Sequence, residues 1–240
     1  MNYWKLSRAP RHSILFAFPL LLLYEGLALV LGGDSVTGVR NGADVLLKSL
    51  FLSIGGSRGL LAFDLLLLGV GAWLIWRDQA SGPVRPRLFA GMLAESAGLA
   101  VLFGAVAGLL TSLLLRAPTL AVGGLGQFGL ATQVMLSLGA GIYEELLFRV
   151  LLVSGLLALG KRVFGWGPTG AGVFAVVLGA LIFSAFHYIG TYGDDWQLQS
   201  FVYRTVAGLL FSGLFVLRGF GITAWTHALY DVFLAVAGVG

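Results

Sequence analysis

Three short patterns combine residue types that could do chemistry: Glu144-Glu145-x-x-x-Arg149, Phe183-x-x-x-His187 and His227-x-x-x-Asp231. On a helix, Glu145 and Arg149 share one face, with the carboxylate N-terminal to the base, the favourable direction for an ion pair. Glu144 sits about 100° around the helix from Glu145 and faces a different wall, so one acid is paired while the other stays available as a base. The same four-residue spacing lets Asp231 accept from one imidazole nitrogen of His227 and fix the tautomer at the other. Phe183 places an aromatic ring one turn before His187. Together they offer Glu144 as general base and two imidazoles on separate segments, with Glu145, Arg149, Phe183 and Asp231 as orienting groups. A carboxylate that takes a proton from water and returns it to a leaving amine suits hydrolysis of a peptide bond. His187 and His227 could bind a zinc ion that polarises the water, or act without metal by orienting water and stabilising the oxyanion. The residues leave both routes open.

These groups sit in an apolar chain. Of 240 residues, 58% are apolar and 11% charged, with a mean hydropathy of +0.92, whereas soluble domains carry about a quarter charged residues. This composition is that of an integral membrane protein: an all-α, polytopic helix bundle forming a single domain over residues 1–240, with the catalytic motifs at about 130–235. The absence of cysteine excludes disulfides, thiolate nucleophiles and cysteine-held zinc or iron–sulfur sites. The net charge of +4 comes from basic residues scattered near the ends of apolar runs, a topology signal rather than a nucleic-acid patch. The partners expected are therefore the lipid bilayer and a membrane-associated protein or peptide.

A helix needs about 20 apolar residues to cross a bilayer core of about 30 Å. Such runs occur at about 13–32, 60–76, 88–115, 129–159, 170–189, 198–217 and 220–239, predicting seven crossings. The 41–54 segment carries Asp44 and Lys48 and reads as an interfacial or re-entrant helix, with an eighth crossing as the alternative. The 129–159 run exceeds one span and holds Gly139 and Gly141, so a kink or tilt is expected. With the N-terminus in the cytoplasm, nine basic residues (Lys5, Arg8, Arg11, Arg77, Arg85, Arg87, Lys161, Arg162, Arg218) lie inside and four (Arg40, Lys48, Arg58, Arg116) outside, as the positive-inside rule prefers. The 191–196 loop, with Asp194 and Asp195 and no base, then faces outward. The first run follows a basic start without an A-x-A site, which reads as a retained anchor. We expect the inner (plasma) membrane of a prokaryote.

An ionisable side chain at membrane depth is costly, so each one is a functional candidate. They are Glu25, Asp64, Glu95, Glu144, Glu145, Arg149, His187, Arg204, His227 and Asp231, densest within 141–149.

The three patterns, in this order on three apolar segments, resemble the motifs of the CPBP family, which comprises CAAX prenyl-protein endopeptidases and bacteriocin-processing or Abi-type intramembrane proteases. The resemblance covers about 130–235. It implies an intramembrane endopeptidase in which Glu144 activates water and His187 and His227 complete the site. The family's third motif often ends in asparagine, where this chain has Asp231. The family has been described both as metalloproteases and as glutamate proteases, so zinc held by His187 and His227 stays open and no other cofactor is implied. Other intramembrane proteases fail on residues: no His precedes Glu as HExxH requires, and neither GxSG nor GxGD occurs. The rival functions are a proton-coupled transporter and a catalytically inactive scaffold or immunity protein. If all spans began at one cytoplasmic plane, Glu144 and His187 would lie about 22–25 Å deep and His227 only about 10 Å. Tilted helices or misjudged boundaries for the last two spans would have to reconcile them.

Overall fold

The computed structural model describes residues 2–32, 38–116, 128–190 and 193–238. Thr191 and Tyr192, which begin the loop expected to face outward, and Val239, at the end of the last apolar run, lie outside the described residues.

Helices occupy every apolar run. A short α1 (Tyr3–Arg8), capped by the Asn2 side chain on the Lys5 N–H, turns into α2 (Pro10–Leu27), whose end widens into one π turn, Ala28–Gly32. Next come α3 (Gly42–Gly55), α4 (Ser57–Arg77) and the 30-residue α5 (Pro86–Leu115). Then α6 (Leu130–Gly139) runs without interruption through a π-helical stretch, Ala140–Val153, into α7 (Ser154–Arg162). The chain closes with α8 (Pro168–Phe186), α9 (Leu198–Arg218) and α10 (Phe220–Val236). Among the described residues, five helices are long and apolar enough to cross a membrane, Pro10–Leu31, Ser57–Arg77, Pro86–Leu115, Pro168–Phe186 and Leu198–Arg218, and Phe220–Val236 is a shorter apolar helix. Exposed apolar side chains such as Leu65 and Leu66 on α4, Val101 and Leu113 on α5 and Val173 and Val177 on α8 suit acyl chains.

The centre is α10, which packs on α2, α5, α6, α9 and the π stretch. Without a hydrophobic drive between helices in lipid, close approach depends on small residues. A Cβ on Gly141 would come within 2.5 Å of the Ala224 carbonyl oxygen and 2.7 Å of the Ala228 Cβ. Where α10 meets α2, Gly221 approaches the Ser13 backbone so closely that a Cβ would lie 2.4 Å from its carbonyl oxygen. Gly219, at φ 78°, makes the tight α9–α10 turn.

The expected kink at Gly139 and Gly141 is instead a widening of the backbone to i→i+5 hydrogen bonds, as where the Ser154 N–H reaches the Arg149 carbonyl. Such π segments are frequent at functional sites. The helix α3 has 14 residues, about 21 Å, short of a bilayer core. Asp44 and Lys48 are buried there: Lys48 bonds Glu25 at 2.9 Å and Asp44 at 2.8 Å, and Arg40 bonds Glu25 at 3.0 Å and Asp44 at 2.9 Å.

Misjudged boundaries do not account for the disparity in depth. Both α9 and α10 begin at the residues anticipated, but the helix ends do not share a plane. His187 lies 19 residues past the start of α8 and His227 seven past the start of α10, a stagger of about 18 Å along the axes. The recessed α9–α10 turn is covered by the N-terminal segment. There Arg218 bonds Glu95 at 2.6 and 2.7 Å and Ser7 at 2.8 Å, and Tyr3 donates to Glu95 at 2.5 Å. Burial and the neighbouring carboxylate hold the Tyr3 phenol well above its usual range.

Candidate active site

Glu144, His187, His227, Asp231 and Phe183 line one cavity of about 490 Å³, together with Asn41, Asp194 and Arg204. Glu144, Glu145 and Arg149 come from the π stretch, Phe183 and His187 from the end of α8, and His227 and Asp231 from the middle of α10.

Glu144 is 8% exposed. Its Oε1 accepts from Asn41 Nδ2 at 2.8 Å, while Oε2 has no hydrogen-bond partner among the described residues. That oxygen faces His187 Nε2 at 4.0 Å and His227 Nε2 at 3.9 Å, too far for direct hydrogen bonds and wide enough for a bridging water.

The far side of each ring fixes its tautomer. His187 Nδ1 lies 2.9 Å from the Phe183 carbonyl oxygen, which can only accept, so Nδ1 carries the hydrogen. His227 Nδ1 donates to Glu145 Oε1 at 2.6 Å. In the neutral form of each ring, the nitrogen without the hydrogen is then Nε2, which faces Glu144. Here the structure corrects the expectation for Asp231. The residue that orients His227 through its other nitrogen is Glu145, and Asp231 Oδ2 lies 3.5 Å from Nε2, on the same side as Glu144. The i,i+4 rule found a neighbour of the ring; only the packing of α10 on the π stretch supplies the partner for Nδ1.

Glu145 thus serves His227 and Arg149 together, with Arg149 Nη1 3.1 Å from the same Oε1. The Arg149 guanidinium, 1% exposed, lies 4.4 Å from the Phe183 ring centroid and 5.5 Å from that of Phe211, a geometry for cation–π attraction. Phe211 also stacks on His227 at 4.4 Å, and Phe183 meets His187 edge-on at 4.9 Å. The aromatic residue of the second pattern is thus a shared wall for Arg149 and both histidines.

The other ionisable candidates lie apart from this group or on its rim. Glu25 belongs to the Arg40–Lys48 network and also accepts from the Tyr143 hydroxyl at 2.6 Å. Glu95 pairs with Arg218, and Arg204 with Asp194 at the mouth of the cavity. Asp64 is exposed on α4 and does not line the cavity. Sequence reasoning missed Asn41, although Asn-Gly ahead of an apolar run is an N-cap signal, and missed Phe211, which looks like any apolar residue of α9.

For zinc, tetrahedral ligands at about 2.0–2.2 Å from the metal lie roughly 3.3–3.6 Å from one another, closer than Glu144 and either imidazole. Among the described residues, no group of three or more His, Asp or Glu side chains could hold a metal ion.

Neither the curated proteins nor the solved structures yield a match to the chain. Residues 126–233 match the family model of the type II CAAX prenyl endopeptidases, Rce1-like. This stretch, a little under half of the chain, holds all three patterns and the helices that bring them together, and its match agrees with the likeness of those patterns to CAAX-type proteases.

Proposed function

We propose that the chain is an intramembrane endopeptidase that hydrolyses a peptide bond of a membrane-associated protein or peptide with water activated by Glu144. The observation that carries this reading is the Glu144 Oε2 atom, buried and free of hydrogen bonds among the described residues, facing two imidazole Nε2 atoms at 3.9 and 4.0 Å across a cavity of about 490 Å³. A water held there gives one hydrogen to Oε2 and the other to an Nε2 lone pair, which leaves an oxygen lone pair for the substrate carbonyl. Glu144 takes the first proton as the carbon–oxygen bond forms and returns it to the amine as the carbon–nitrogen bond breaks. An imidazole protonated from solvent before the attack can donate to the tetrahedral oxyanion, and it keeps that proton when the oxyanion collapses to the carbonyl. Glu145 and Arg149 hold His227, and Phe183 holds His187 through its carbonyl. The donor spacing favours a reaction without a bound metal, and no step above uses one.

The test compares membrane-protein termini in cells making the native chain and the Glu144→Gln chain at equal abundance. Fragments that appear only with the native chain, cut near membrane boundaries, are the expected result. Identical termini, with insertion of both chains verified, would overturn the proposal and favour the transport or scaffold reading.

A further inference from the structure

We infer that Asn41, which lies outside the matched segment, is a positioning residue that selects which oxygen of Glu144 reacts; the inference rests on Glu144 acting as the base. Asn41 is 7% exposed and its amide is engaged at both ends. Oδ1 caps α3 by accepting from the Ala43 N–H at 2.9 Å, which leaves Nδ2 to meet Glu144 Oε1 at 2.8 Å. The capping bond thereby fixes the orientation of the amide. A hydrogen bond on Oε1 holds the carboxyl plane and leaves Oε2 toward the imidazoles.

The surroundings keep Asn41 in place. Its backbone N–H donates to the Tyr24 hydroxyl at 3.2 Å, and that hydroxyl donates to Asp44 at 2.7 Å. Arg40 and Lys48 bridge Asp44 and Glu25, and Glu25 accepts from Tyr143, the residue before Glu144. Gly139 leaves the room for this approach, since a Cβ there would lie 2.8 Å from the Asn41 Cβ and 2.6 Å from the Tyr24 ring. Buried ion pairs are weak evidence for stability by themselves. This network links the residues flanking Asn41 to the residue flanking Glu144, so it holds both ends of the contact.

Serine and aspartate also cap helices, so Asn41→Ser and Asn41→Asp keep α3 while removing the amide that reaches Glu144, the serine hydroxyl being shorter and the aspartate unable to donate. The probe is an internally quenched prenylated CAAX peptide, turned over by the purified full chain in detergent. Both variants should lose kcat by about tenfold to a hundredfold, the weight of a hydrogen bond to a charged group, with KM little changed. In parallel, the Glu144 carboxylate stretch, isolated by infrared difference against Glu144→Gln without substrate, should move in Asn41→Ser. A native kcat, a loss carried by KM alone, or an unmoved band would overturn the inference. Turnover by Glu144→Gln would instead remove the base itself, and the infrared measurement separates the two failures because it needs no activity.

Discussion

The buried pair Glu145–Arg149 should behave as one energetic unit that also serves catalysis, and a double-mutant cycle separates the two roles. Arg149→Met leaves the Glu145 carboxylate, 0% exposed, with His227 as its remaining partner. Glu145→Gln leaves a guanidinium that is 1% exposed without its ion-pair partner, against the Phe183 and Phe211 rings. Removing one member of a buried pair costs about 3–5 kcal/mol, and for Arg149→Met the lost ring contacts add about 0.5–2 kcal/mol. Removing both charges is often neutral for stability, so the double variant should be more stable than either single one, with a coupling of at least about 3 kcal/mol. The assay is reversible unfolding of the full chain in bicelles, for each corner of the cycle. Activity should not follow stability back. The amide introduced by Glu145→Gln can donate to His227 Nδ1 and so reverse the tautomer, giving Nε2 the hydrogen and filling the face meant for water. A wrong tautomer costs up to about 10⁴-fold in a comparable catalytic arrangement, so the refolded double variant should stay at least about 100-fold below native. Stabilities that add within about 0.5 kcal/mol would refute the pairing argument. A double variant with native turnover would refute the role of Glu145 in holding His227.

Gly141→Ala should lower unfolding free energy by about 1–3 kcal/mol through overpacking, because its Cβ would meet the Ala224 carbonyl oxygen at 2.5 Å; native thermal stability would show that α10 yields freely. His187→Ala and His227→Ala, which remove the two nitrogens at 4.0 and 3.9 Å from Glu144, should each cut turnover of the prenylated CAAX peptide by about 100-fold or more, and retained turnover in either would exclude that histidine from the chemistry. Treatment with a zinc chelator followed by desalting should leave turnover unchanged, as the proposed reaction uses no metal; loss restored by added zinc would reverse this reading.

The sequence alone determined the membrane class, the positions of the helices and the residues on which the proposed chemistry rests. Each of these follows from local quantities: the length of an apolar run, the cost of an ionisable group in lipid, and the four-residue spacing that pairs Glu145 with Arg149. It also identified Asp231 as a neighbour of His227, but not the ring's second partner. Glu145 and His227 are 82 residues apart and meet only because Gly141 lets α10 approach the π stretch. Asn41 and Glu144, 103 residues apart, meet because Gly139 leaves space between α3 and α6. The stagger that brings His227 level with His187 was equally hidden, since counting from a common plane presumes that every helix begins at the surface. Helical periodicity is a property of a few neighbouring residues, whereas the depth and closest partners of a side chain are set by how whole helices pack. That is why the chain named the candidate groups and only the tertiary structure decided which atom of each faces which.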